Sequence, residues 1–189
     1  MVTNLGFKEV KDMKKQTGFT LVELIIVIVI LGILAVTAAP KFLDLQGDAN
    51  ASTIQGVAGA VDSASSIVYG KAVIAGLQKT ASGASNEIDD GNGNTIALNY
   101  GYPTATATGL PVALDINVDS TSPYNGADFN FVAISGTPNT AYIFANGSVT
   151  PTGSNDTEIC AVKYTEASAT TATPPVYSAA NTEVFTAGC

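Results

Sequence analysis

Glu23 is a carboxylate where a carboxylate is costly. The run at 19–39, FTLVELIIVIVILGILAVTAA, is 21 residues long, and Glu23 is its single charge. An unpaired ionised carboxylate at membrane depth costs several kcal/mol and marks function by default. No Lys or Arg in the run can neutralise it. A partner arises if the chain is cut between Gly18 and Phe19, because the new Phe19 α-amine is a cation. Within one helix Phe19 and Glu23 are four residues apart and share a face. Between parallel helices staggered by about one turn, the amine of one subunit meets Glu23 of another. Such a pair sets register, as a buried polar group does in a coiled coil.

Little else in the chain offers chemistry. There is no His, and all eight basic residues are lysine. The commonest general base and the best phosphate fork are therefore missing. No triad, metal cluster or Gly-Lys-Ser/Thr phosphate loop is present, so neither catalytic residues nor a cofactor are predicted. Asp90, Asn92 and Asn94 open with the spacing of a calcium loop. Its sixth position is Thr95 instead of Gly, and its twelfth is Gly101 instead of Glu. Asp-Gly and Asn-Gly turn chemistry explains the segment as well, and no metal is predicted. Cys160 and Cys189 make an even count, which in an exported domain reads as one disulfide. It would tie down the C-terminal end.

The charged groups need a scaffold. As a helix, 19–39 spans about 32 Å, close to the hydrocarbon thickness of a bilayer. Lys14 and Lys15 precede it and hold the N-terminus in the cytoplasm. A cleaved secretory signal would use Thr37-Ala38-Ala39, and a plain anchor would need no cleavage, but neither uses Glu23. The net charge is −8. Removing residues 1–18 leaves four lysines against fourteen acids, a net of −10. That surface repels phosphate backbones, so no specific nucleic acid is expected as a partner.

Lys14-Lys15-Gln16-Thr17-Gly18 followed by Phe19-Thr20-Leu21-Val22-Glu23 resembles the prepilin processing motif of type IV pilins. The resemblance implies that a membrane prepilin peptidase cuts after Gly18 and methylates the Phe19 amine, and that Glu23 serves assembly. The leader would be 18 residues from Met1, or a shorter one from Met13. Residues 28–43, with Val68-Tyr69-Gly70-Lys71-Ala72 and Tyr100-Gly101-Tyr102-Pro103, are similar to the mannose-sensitive haemagglutinin pilins. By this resemblance the chain is a major structural subunit, an inner-membrane precursor and then an extracellular pilus. Its partners would be further copies of itself, the peptidase, the pilus assembly machinery, and surface or glycan receptors in adhesion and biofilm formation. The family also implies loss of helix between Gly32 and Pro40 in the filament. Proline removes a backbone hydrogen bond, and glycine is a weak helix former. A type II secretion pseudopilin shares the N-terminal logic. An anchored periplasmic enzyme or receptor is the alternative from another class.

The expected layout is a leader at 1–18, a transmembrane and filament-core helix at 19–39, its amphipathic continuation at 40–74, and a globular head at 75–189. Phe42, Leu45, Ala49, Thr53, Val57, Val61, Ala64 and Val68 form a stripe at helical spacing, narrow enough to pack on a sheet. Strands are expected at 95–99, 113–118, 130–134, 141–145 and 159–164, with a loop at 172–189 closed by the disulfide. The fold class is α+β: one long helix on an antiparallel sheet.

Overall fold

A computed structural model of the chain describes residues 18–189, apart from 84, 122–126 and 155; in helix α1 the side chains at 39, 40 and 42–44 are not described. Residues 1–17 of the leader expected at 1–18, and the Phe42 side chain, therefore lie outside the described part. The chain divides into an N-terminal unit ending at Leu43 and a C-terminal unit, Asp44–Cys189.

Helix α1 (Leu21–Ala75) is 55 residues long and is helical through both Gly32 and Pro40. The loss of helix expected there concerns the filament. In the N-terminal unit the window Leu21–Ala38 is long and apolar enough to cross a membrane, and none of it is buried. The successive residues Leu24, Ile25, Ile26 and Val27 point to different sides of the helix and are all exposed. A helix apolar on every side needs apolar surroundings on every side.

In the C-terminal unit α1 buries one line: Ile54, Ala58, Val61, Ser65, Val68 and Ala72. Steps of four and three keep this line on one side of a 3.6-residue helix. It corrects the expected stripe. Val61 and Val68 lie on the buried line, but Leu45, Ala49 and Thr53 are exposed. Stepping by four from Phe42 drifts around the helix, and the true line hides behind a serine and small alanines.

Against this line packs a five-stranded sheet of order β10-β7-β6-β5-β4. Its strands are β4 (Val118–Asp119), β5 (Phe129–Ile134), β6 (Thr140–Ala145), β7 (Ala161–Thr165) and β10 (Asn181–Phe185). Neighbours are antiparallel except β4 and β5, which run parallel. Strand alternation sorts β6 into two faces. Ala141 and Ile143 join Ile54, Val61, Phe131, Val162 and Tyr164 in the main core. Tyr142 and Phe144 join Ile159 and Ala161 on the far face. Burial on both faces is why β6 reads as a continuous apolar run.

A smaller antiparallel sheet, β1 (Glu87–Asp89), β2 (Thr95–Asn99) and β3 (Tyr102–Pro103), forms the other layer. Ile96 and Leu98 of β2 pack on Val68 and Ala72 of α1. The architecture is α+β, as the order of elements implies.

Two expectations fail locally. The strand placed at 113–118 is instead helix α2 (Leu110–Leu114) followed by β4. Pro111 sits in the first turn of α2, where its missing N–H costs nothing, and Asp115 ends the helix in the left-handed region at φ 51. The loop placed at 172–189 holds β9 (Tyr177–Ser178), which pairs with β8 (Ser168–Ala169), and the edge strand β10 on β7. Asn181-Thr182-Glu183 hides the alternation of β10 behind polar residues.

Candidate functional site

The candidate site is the start of α1. Phe19 is 91% exposed and precedes the helix. Thr20 is the N-cap residue: the Leu24 amide donates to its carbonyl at 3.2 Å. Glu23 stands three residues on, and the two close a capping box. The Glu23 amide donates to Thr20 Oγ1 at 3.2 Å, and the Thr20 amide donates to Glu23 Oε2 at 2.8 Å. The Thr20 hydroxyl donates to the same Oε2 at 2.8 Å.

This changes how Glu23 is understood. The apolar run contains no cation for it, but Thr20 offers two donors from its own chain. The carboxylate also sits in the first helical turn, beside the positive end of the helix dipole. The sequence carries this signal as Thr20-x-x-Glu23, an N-terminal capping pattern that charge alone does not reveal. Gly18 and Phe19 lie immediately before the box, and Gly32 and Pro40 lie further along the same helix. The arrangement can do no bond chemistry, but it can present a carboxylate and an exposed apolar rod to another molecule.

The C-terminal arm is built around Cys160 and Cys189, which form a disulfide with Cα atoms 4.7 Å apart. Closing 29 residues is worth about 3.6 kcal/mol in the chain-entropy model. Gly188 lets the arm reach its place. Its amide donates to the Ile159 carbonyl at 3.1 Å. A Cβ there would run into the Glu158 carbonyl oxygen, so any larger residue displaces the backbone.

Glu166 went unnoticed in the sequence. It is 5% exposed and collects three donors. Oε1 accepts from Asn139 Nδ2 at 2.6 Å and Asn99 Nδ2 at 3.2 Å, and Oε2 accepts from the Ala105 amide at 3.1 Å. Asn99 Nδ2 also donates to the Ala167 carbonyl, and its Oδ1 accepts from the Ser82 amide. One carboxylate thus joins β2, the segment after β3 and the β5–β6 turn. Asp90 is likewise engaged by its own turn. Oδ1 accepts the amides of Asn92 and Asn94, and Oδ2 accepts Asn94 Nδ2. The Asn94 side chain is the first cause holding the Asp90 carboxyl below the usual range.

Tyr164, Tyr142 and Lys163, with Tyr102, titrate above their ordinary values. Burial pushes up the Tyr164 hydroxyl, which donates to the Pro103 carbonyl at 2.8 Å. Burial, then donation to Asp156, raises Tyr142. The hydrogen bond to Asp156, at 2.8 Å, raises Lys163. In each case the folded state holds its proton more tightly than the unfolded chain does. Their stabilisation is complete below the unfolded values near 10.0 and 10.5, and is lost as pH rises through the folded ones. Thermal melting is therefore expected to fall steeply above about pH 10, and Tyr164→Phe should flatten that fall. A Tyr164→Phe melting curve with the wild-type alkaline slope would contradict this assignment.

The family model for the prokaryotic N-terminal methylation motif matches residues 13–39. The Type IV narrow pilus major component PilA5 of Thermus thermophilus is 37% identical over 100 residues, covering 49% of this chain and 86% of that protein. No solved structure matches significantly. The matched N-terminal motif, the exposed apolar helix behind it and this level of identity place the chain in the type IV pilin family.

Proposed function

We propose that this pilin is a major structural subunit, held in the inner membrane by α1 until it is cut between Gly18 and Phe19 and polymerised into a surface pilus. The observation carrying the proposal is the uncovered apolar helix that starts at a capped glutamate. Cleavage by the prepilin peptidase turns Phe19 into a cationic terminus, and methylation keeps that charge. In the precursor Glu23 rests on Thr20; in the filament it moves to, or shares itself with, the Phe19 amine of a neighbouring copy. A charge pair in apolar surroundings is strong only at one register, so it selects the stagger of successive subunits. Helix–helix packing must supply most of the remaining drive, since lipid and neighbouring helices are equally apolar.

Residues 19–39 become the filament core, 40–74 link it to the head, and 75–189 form the outer surface. Gly32 and Pro40 bracket the segment that loses helix as subunits pack. The assembly machinery extracts the subunit, and head loops serve adhesion and biofilm formation by meeting surfaces or glycans. The 37% identity to a pilus major component favours a pilus over a secretion pseudopilin. Electron microscopy of cells is the test: long surface filaments are expected with the gene and absent after its deletion. Filaments equally abundant in the deletion strain would refute the major-subunit reading.

A further inference from the structure

The turn between β1 and β2 runs Asp90-Gly91-Asn92-Gly93-Asn94, and residues 91–95 are all exposed. Gly91 and Gly93 take φ +93 and +97, and a Cβ at either would meet nothing within 4 Å. The Asn94 side chain is held by Asp90. The Asn92 side chain has no hydrogen bond among the described residues. Asn-Gly occurs twice more: Asn125-Gly126 lies outside the described residues, and Asn146-Gly147 follows β6, with Gly147 at φ +82. There the Asn146 Nδ2 donates to the Ala127 carbonyl at 2.7 Å. Asn92-Gly93 and Asn146-Gly147 share a dipeptide and differ in whether the amide is tethered.

We infer that Asn92-Gly93 is a spontaneous deamidation site that adds a carboxylate to the groove between α1 and α2. Asparagine is thermally labile, and glycine on its C-terminal side leaves the attacking amide unshielded. The Gly93 backbone nitrogen gives its proton to solvent base and bonds to Asn92 Cγ. The Cγ–Nδ2 bond breaks, and that nitrogen leaves as ammonia. The resulting succinimide adds one water at either carbonyl, giving aspartate or isoaspartate. No oxidation or co-reactant is involved. At Asn146 the hydrogen bond to Ala127 must break before Cγ can turn toward Gly147.

The consequence is local and electrostatic. Asn92 lines a groove of about 340 Å³ together with Asp90, Asp115, Lys71, Ile67 and Val112. Two aspartates and one lysine already line it. Deamidation adds a third carboxylate to a mature chain whose net charge is already −10. The isoaspartyl product also lengthens the backbone by one carbon, in the turn that sets Asp89 opposite Thr95. In the surface filament of the proposed function, on which this consequence rests, converted copies accumulate with age.

The test needs no filament. The purified full chain in detergent is incubated at neutral and mildly alkaline pH, digested with an acid protease, and its peptides are weighed. The Asn92 peptide is expected to gain about 1 Da severalfold ahead of the Asn146 peptide and faster at the higher pH. Asn92→Gln should abolish that early gain. The inference is overturned if Asn146 converts as fast as Asn92 in the folded chain. It is also overturned if the Asn92 peptide stays unchanged while a urea-unfolded sample converts at both.

Discussion

Glu23→Ala is expected to leave a stable, processed subunit in the membrane and to lower filament yield by at least about tenfold, the factor that 1.4 kcal/mol per association step produces. The argument turns on what the carboxylate does in each state. Before assembly it accepts the Thr20 amide and hydroxyl, both at 2.8 Å. Losing an N-cap interaction of this kind costs about 1 kcal/mol and frays the first turn, while the remaining helix stays in place. After assembly, its loss strands the Phe19 amine of a neighbour in apolar surroundings, which is far more costly. Thr20→Val separates the two roles. It removes the hydroxyl donor and acceptor but leaves Glu23 to pair with the amine. Filament yield with Thr20→Val should therefore stay well above that with Glu23→Ala. Immunoblots of membrane and sheared-filament fractions measure both. Wild-type filament yield from Glu23→Ala would remove the carboxylate from the assembly step.

The second large effect lies in the head. Glu166→Ala is expected to destabilise the head by about 3–5 kcal/mol, because each buried donor left without an acceptor costs about 1–3 kcal/mol. Asn139 Nδ2, Asn99 Nδ2 and the Ala105 amide all lose an acceptor at once, although Asn99 keeps the Ala167 carbonyl. Glu166→Gln should be milder. It keeps one acceptor oxygen but turns an NH₂ toward donors already in place. Urea unfolding of the full chain in detergent gives the comparison, with the ordering wild type, then Gln, then Ala. Equal midpoints for wild type and Glu166→Ala would show that the cluster contributes nothing to stability.

These two sites differ in how legible they were. Glu23 stands out because a membrane makes a lone charge conspicuous, and Gly18 and Phe19 follow from asking what could neutralise it. Thr20 is equally readable, three letters away, but a lone carboxylate suggests a cation, and the partner is a neutral hydroxyl and an amide. Glu166 could not be read. Its donors lie 67, 61 and 27 residues earlier in the chain, and Asn99 and Asn139 look like ordinary turn residues until the sheet is built. Strands β2, β5, β6 and β7 announced themselves through β-branched and aromatic runs. β10 did not, since an edge strand needs only one covered face. For α2 a five-residue apolar run carried no readable period, and Pro111 was the better guide. The buried line of α1 was missed in its first turns because Ala58 and Ser65 are small and nearly neutral, and size matters more than polarity where a helix approaches a sheet closely.

Glu23 matters to assembly only if a terminal amine is created four residues before it. Intact-mass and peptide mass spectrometry of the mature protein from sheared filaments tests this most directly. The expected N-terminal peptide starts at Phe19 and carries a methyl group on its α-amine. A mature chain that keeps residues before Phe19, or that begins after Ala39, would contradict it.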